Sequence, residues 1–262
     1  MKIGFVQFAP ILGDLDATLN KLDRLFDQAG EADLMVLPEL SNSGYHFRDR
    51  DQAWRTSESI GESRFLAHLT DLCRDRGLVV ASGFNERAGD HLYNAAVLVG
   101  PNGFVGRYRK CHLFLDEKDY FRPGDEGFPV FHVGDFRVGM LVCFDWVFPE
   151  AWRILALKGA DIICHPANLV LPGLAQRAIP VHAMTNRVFV VTANRVGTEG
   201  DLTFTGRSII ADPTGETLVQ GSPGGEEIHI REIDLALARE KQITARNHLF
   251  EDRRPELYHE LL

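Results

Sequence analysis

Short β-forming apolar runs alternate with helically spaced apolar stripes along this chain, and that alternation limits the folds open to it. Lys2 to Gln7 reads as a strand. Leu15, Leu19, Leu22, Leu25, Phe26 and Ala29 then recur at helical spacing, and Gly30 is expected to close that helix. Leu34 to Leu37 reads as a buried strand. Phe65, Leu66, Leu69, Leu72 and Cys73 form the next stripe, stopped at Gly77, and Leu78 to Ser82 returns as a strand. Tyr93 to Val99 and Phe104 to Tyr108 flank Asn102-Gly103, a pair that predicts a hairpin turn. Strands follow over Val130 to Val133 and Val138 to Val142, then a helix from Pro149 closed by Gly159. Asp161 to Cys164 is a strand, Ile179 to Val188 a helix, and Phe189 to Ala193 a strand. Further strands fall near Ser208 to Ala211, Glu216 to Val219 and Glu227 to Ile233. Crossover helices and hairpins are mixed, which predicts a layered mixed α/β sandwich rather than a purely parallel doubly wound sheet.

The 262 residues, 45% of them hydrophobic, suffice for one large core, and the chain reads as a single domain over 1–262. No internal repeat, low-complexity stretch or linker is legible. A C-terminal arm over about 245–262 mixes charges with Leu249, Phe250, Leu257 and Tyr258. It reads either as an arm packed on another surface, such as a dimer partner, or as an ordinary terminal helix. A net charge of −9 repels phosphate backbones, and no dense basic run offsets it, so nucleic acid is not an expected partner. No signal peptide or apolar span of membrane length is seen, so no membrane association is expected. Cys73, Cys111, Cys143 and Cys164 lie far apart and read as reduced thiols of a cytoplasmic protein. Zinc spacings are absent. Adjacent residues on a strand face opposite ways, so Cys111-His112 and Cys164-His165 are poor chelates, and no metal or other cofactor is expected.

Three segments end a β-run with a reactive side chain: Val36-Leu-Pro-Glu39, Gly106-Arg-Tyr-Arg-Lys110 and Leu141-Val-Cys143. A carboxylate, an ammonium and a thiol at strand ends can meet at one sheet edge. After Cys143 the chain turns through Phe144, Asp145 and Trp146 and enters a helix at Pro149. A thiol beside a helix N-terminus is expected to have a lowered pKa. A carboxylate can take its proton and an ammonium can stabilise the thiolate. Cys73 and Cys164 lie on apolar stripes and read as packing; Cys111 reads the same way, and His112 as a structural hydrogen-bonding residue.

Pro38-Glu39-Leu40, Tyr108-Arg-Lys110-x-His-Leu and Cys143-Phe-Asp-Trp-x-Phe-Pro-Glu150 stand in the order found in the nitrilase superfamily of carbon–nitrogen hydrolases, which the chain resembles over nearly its whole length. The resemblance extends through Asn94-Ala-Ala96, Glu117-Lys118, His165-Pro-Ala-Asn168 and Ala193-Asn-Arg195. It implies a Glu39–Lys110–Cys143 triad, a second active-site glutamate at Glu117, and a four-layer α-β-β-α sandwich of two mixed sheets flanked by helices. It also implies a homodimer paired across a helix layer. The segments around Cys143 and His165 look most like the branch holding carbamoylputrescine-type amidases and small aliphatic nitrilases.

On that basis Glu39 is the expected general base and Cys143 the nucleophile. Lys110 and the backbone N–H of Phe144 would stabilise the oxyanion, and a thioester would be hydrolysed by water. Tyr45, Phe114, Trp146 and Asn168 lie beside these segments and are expected to line a pocket for a small, mostly apolar acyl group. A small aliphatic amide is the expected substrate, with nitriles and carbamoyl compounds as alternatives. Acyl transfer to an amine and a non-catalytic interaction module are the remaining rivals. The intact Glu39, Lys110 and Cys143 weigh against the second.

Overall fold

Ile3 and Phe5 of the first strand enter one core while Val6 enters another. Successive strand residues face opposite ways, so this sheet must be covered on both sides. The structure is a computed structural model and describes residues 1–261. Its first half runs β1 (Lys2–Gln7), α1 (Leu15–Phe26), β2 (Leu34–Val36), α2 (Arg50–Arg55), α3 (Arg64–Arg76), β3 (Val79–Ala88), β4 (His91–Gly100) and β5 (Gly103–Arg109). A short α4 (Glu117–Tyr120) leads to β6 (Val130–Val133), β7 (Phe136–Met140), α5 (Pro149–Leu157), β8 (Ile162–Ala167), α6 (Leu174–Asn186) and β9 (Phe189–Asn194). The remaining strands are β10 (Thr198–Glu199), β11 (Leu202–Thr203), β12 (Ile209–Ala211), β13 (Thr217–Gln220) and β14 (Glu227–Glu232).

Two six-stranded sheets form, ordered β14-β1-β2-β3-β4-β5 and β13-β12-β9-β8-β7-β6. Leu34, Val36, Ala81 and Leu98 of the first sheet pack with Met140, Ile162 and Val191 of the second in one inner core. Met35, Leu37, Val80 and Phe84 face the other way, onto Leu22 and Phe26 of α1 and Phe65 and Leu69 of α3. Trp152 and Leu155 of α5 and Ile179 and Ala183 of α6 cover the second sheet. The layering is therefore α-β-β-α, as the resemblance implies. Asp14 and Ser63 cap α1 and α3 by accepting from Ala17 N and Leu66 N, contacts worth about 1 kcal/mol each.

The sequence shows no repeat, yet the topology has one. From β1 the first sheet pairs parallel to β2 and β3, then antiparallel to β4 and β5. From β7 the second pairs parallel to β8 and β9, then antiparallel to β12 and β13. Each half thus offers strand ends to the same rim.

Gly77 and Gly159 end their helices in the left-handed region, as expected, and Gly103 turns the β4–β5 hairpin at φ 103°. Gly30 does not play that part. α1 stops at Phe26 because Gln28 N and Ala29 N bond back to Leu25 O and Phe26 O, turning the chain first. α6 begins at Leu174, ahead of the expected Ile179, and runs through Pro180; the missing N–H of Pro180 hides the true start from the sequence. Instead of a terminal α-helix, the C-terminal arm pairs Asn247–His248 with Gln242–Thr244 just before it and adds two 3-10 turns, with Phe250 packed by Arg153 of α5 and Lys241. Residue 262 of that arm lies outside the described residues. Among the described residues no helix is long and apolar enough to cross a membrane.

Candidate active site

Just beyond β2 the chain crosses β3 at Gly83, whose N–H donates to Pro38 O at 3.0 Å and whose carbonyl accepts from Ser41 N at 3.2 Å. A Cβ at Gly83 would sit 2.3 Å from Glu39 Cα, so only glycine allows this approach. Leu40 bends the backbone at φ 50° and Glu39 is turned into the fully buried rim. Lys110 follows β5, held from both sides by Lys110 N→Asn94 O and Gly124 N→Lys110 O, each 2.8 Å. Glu117 opens α4, and its Oε2 accepts from Phe114 N at 3.2 Å.

Cys143 lies beyond β7 at φ 44°, a left-handed conformation that costs a non-glycine residue about 1–2 kcal/mol. Buried Asp145 braces this bend, accepting from Val142 N at 2.8 Å and Tyr108 OH at 2.9 Å, with His112 Nδ1 2.7 Å from its other oxygen. His165 Nε2 donates to Cys143 O at 2.9 Å. Cys143 opens a 3-10 turn (Cys143–Val147); α5 starts only at Pro149.

The Lys110 ammonium, fully buried, donates to Glu39 Oε1 at 2.7 Å and to Glu117 Oε1 at 2.8 Å. Asn94 Nδ2 donates to the same Glu39 oxygen at 2.7 Å, and Tyr45 OH to the same Glu117 oxygen at 2.7 Å. Asn168 Nδ2 holds the Glu39 carbonyl at 3.0 Å. Glu39 Oε2 is buried with no hydrogen-bond partner, a costly state for a carboxylate oxygen and a free acceptor for a proton.

Burial pulls the Lys110 ammonium toward neutrality, but Glu117 and Glu39 outweigh it and its pKa rises. Burial, opposed by Lys110 and reinforced by Glu39, pushes the Glu117 carboxyl up to about 7. Burial and then Glu39 push the Cys143 thiol well above its ordinary value, with only Lys110 and a backbone N–H opposing. This corrects the lowered thiol pKa expected from the turn. The dipole of one short 3-10 turn does not offset burial next to two carboxylates, so the resting group is the thiol.

Cys143 and Asn168 provide the polar part of a cleft whose apolar walls are Phe114, Phe144, Trp146 and residues 169–171. Tyr45 was expected in this wall. It lines a neighbouring cavity with Phe47, Glu117 and Leu202, its hydroxyl donating to the Glu117 oxygen that also accepts from Lys110. Among the described residues no group of three His, Cys, Asp or Glu side chains is placed to hold a metal ion. Asn94, Asp145, Tyr108 and His165 escaped assignment. Their signals are a polar side chain inside or beside an otherwise apolar strand and a place within the segments that carry the resemblance.

Such a cluster on the strand-end rim of an α-β-β-α sandwich marks the chain as an enzyme. The family model described as "Carbon-nitrogen hydrolase" matches residues 2–242. A protein of Pyrococcus abyssi named nitrilase is 48% identical over 98% of this chain and 99% of its own length. The N-carbamoylputrescine amidase of Arabidopsis thaliana is 30% identical over 99% of this chain and 94% of its own. The crystal structure of a carbon–nitrogen hydrolase from Helicobacter pylori superposes with a TM-score of 0.87 at 29% identity, covering 100% of this chain and 98% of that one. The chain belongs to the carbon–nitrogen hydrolases of the nitrilase superfamily.

Proposed function

We propose that this enzyme hydrolyses a small, uncharged aliphatic amide through a thioester on Cys143, releasing ammonia and a carboxylic acid. The observation that carries the reading is the buried Lys110 ammonium, bonded at 2.7 and 2.8 Å to Glu39 and Glu117 beside the cleft thiol. A thiol held protonated needs a base, and Glu39, whose charge acts on the thiol, keeps one carboxylate oxygen, Oε2, without a partner. Glu39 takes the Cys143 proton as the sulfur attacks the carbonyl carbon. Lys110 and the Phe144 N–H receive the developing oxyanion; such preorganised donors are worth roughly 3–4 kcal/mol each. Glu39 returns the proton to the departing nitrogen, and ammonia leaves. Water then attacks the thioester as Glu39 takes its proton, and collapse returns that proton to the sulfur. Glu117 fixes Lys110 and is itself held by Tyr45. Phe114, Phe144, Trp146 and Asn168 shape the acyl site; its walls carry no formal charge, which favours a neutral acyl group.

Nitrile hydrolysis is the second reading, favoured by the 48% identical relative named nitrilase. It uses the same groups with one further water addition. A carbamoyl substrate, as the Arabidopsis relative's name describes, would release carbon dioxide as well. An ammonia and carbon dioxide screen over short amides, nitriles and carbamoyl compounds separates the three. Cys143→Ala should stay folded and release no ammonia; a folded Cys143→Ala with normal turnover sinks the assignment.

We also read residues 1–262 as one domain that forms a homodimer, a reading supported by the exposed Leu257, Tyr258 and Leu261 of the arm. Light scattering of the purified chain tests it; a monomer at micromolar concentration refutes it. The four unpaired cysteines favour a reducing compartment such as the cytoplasm.

A further inference from the structure

His165 and Thr192 are cross-strand partners in the parallel β8–β9 pair, both buried on the face of the second sheet that α5 covers. A buried imidazole and hydroxyl there cost free energy unless each is satisfied. They are. His165 Nδ1 lies 3.0 Å from Thr192 Oγ1, and His165 Nε2 lies 2.9 Å from Cys143 O. A carbonyl can only accept, so Nε2 carries the proton, and in a neutral ring Nδ1 then accepts from the threonine hydroxyl. Burial holds the imidazole neutral by lowering its pKa to about 4. The Trp152 ring, 5.8 Å away centre to centre, closes the space beside it. A second histidine repeats the device on the same turn: His182 Nε2 lies 2.9 Å from Trp146 O and its ring stacks on Trp152 at 4.8 Å.

The carbonyl that His165 grips shares a planar peptide unit with the Phe144 N–H. Among the described residues no peptide bond is cis, so the two groups point in opposite directions. The first bond of the 3-10 turn runs from Asp145 N to Val142 O at 3.0 Å, which leaves the Phe144 N–H outside it. The carbonyl end faces the fully buried histidine, so the N–H end points away from it, and Cys143 and Phe144 themselves line the cleft.

We propose that His165, fixed by Thr192, is a positioning residue that aims the Phe144 N–H at the oxyanion by holding the opposite end of the same peptide. Donation to the carbonyl also polarises the peptide and strengthens that N–H as a donor. The proposal rests on the hydrolytic reading given above. Its consequence is specific: His165 matters when a carbonyl oxygen gains charge and not when the thiol reacts otherwise.

The test pairs two readouts on His165→Leu and His165→Gln. The first is steady-state amide or nitrile hydrolysis, and the second is the rate at which Cys143 is modified by methyl methanethiosulfonate, a small reagent with no carbonyl, followed by peptide mass. For His165→Leu, kcat should fall about tenfold to hundredfold with KM within about threefold, and Cys143 modification should stay within about twofold of the unsubstituted enzyme. His165→Gln, whose amide N–H can still reach the carbonyl, should recover part of the loss. An unchanged kcat overturns the proposal, and so does a parallel fall in both readouts, which would mean the histidine only places the sulfur. If His165→Leu does not fold, Thr192→Val against Thr192→Ser decides by the same two readouts, with Ser expected to retain activity. Failure of the hydrolytic reading looks different: the unsubstituted enzyme would then turn over none of the amides, nitriles or carbamoyl compounds.

Discussion

Gly83→Ala tests whether the approach of the Glu39 segment to β3 sets the catalytic geometry. The added Cβ would lie 2.3 Å from Glu39 Cα, 2.4 Å from Leu40 N and 2.6 Å from Glu39 C. All three are backbone atoms, so no rotamer change relieves the clash. Restoring a contact of about 3.4 Å requires the Glu39–Leu40 backbone to retreat by about 1 Å. Leu40 already sits at φ 50° and has little freedom to absorb the shift. The bonds from Asn94 to Glu39 Oε1 at 2.7 Å and from Asn168 to Glu39 O at 3.0 Å oppose it. A misplacement of about 1 Å at a reacting group costs on the order of 100-fold in rate. Overpacking of this kind costs about 1–3 kcal/mol of stability, and each kcal/mol lowers Tm by about 2–4 °C in a chain of this size. The assay is kcat by ammonia release beside a thermal melt, with Gly61→Ala as control, since a Cβ there meets nothing within 4 Å. A Gly83→Ala enzyme with kcat within twofold and an unshifted Tm would refute the reasoning.

The Glu117 carboxyl, held up to about 7, must be ionised to grip Lys110, so kcat/KM should rise with pH through an acid limb near 7. Glu117→Gln should abolish that limb and lower kcat about tenfold to hundredfold, read from the pH profile. Its effect on stability has the opposite sign: a raised carboxyl pKa favours folding below the ordinary 4.5, and that gain is lost as pH climbs through about 7, which urea titrations of Glu117→Gln at two pH values would show. Tyr45→Phe removes a bond that lowers the Glu117 pKa, so the acid limb should move to higher pH with kcat down about tenfold; an unmoved limb contradicts the pairing. Iodoacetamide should label Cys143 far faster than Cys73 or Cys164, whose apolar burial pushes both thiols up without a base beside them; equal rates by peptide mass would contradict an activated thiol.

Much of the fold was legible because period-2 and period-3.6 patterns are local. β1, β4, the Asn102-Gly103 turn and the helix stops at Gly77 and Gly159 all fall where spacing and glycine place them. The end of α1 and the start of α6 were misread: the first is fixed by backbone bonds that turn the chain before Gly30, the second by a helix that tolerates Pro180. The topological repeat was not legible, because strand order is a property of pairing and leaves no trace in residue similarity.

The site divides in the same way. Sequence alone determined which side chains stand at strand ends, and so named Glu39, Lys110 and Cys143, with Glu117 added by resemblance. Tertiary structure decided their states and their supports. It buried the thiol beside two carboxylates and raised its pKa, where the turn alone suggested the reverse. It bonded Tyr45 to Glu117, pressed Glu39 onto Gly83, and brought His165 under the Cys143 carbonyl. The physical reason is range. Propensity and periodicity act over a few residues, whereas desolvation, charge coupling and a hydrogen bond between Lys110 and Glu39, 71 residues apart, exist only once the two sheets have met.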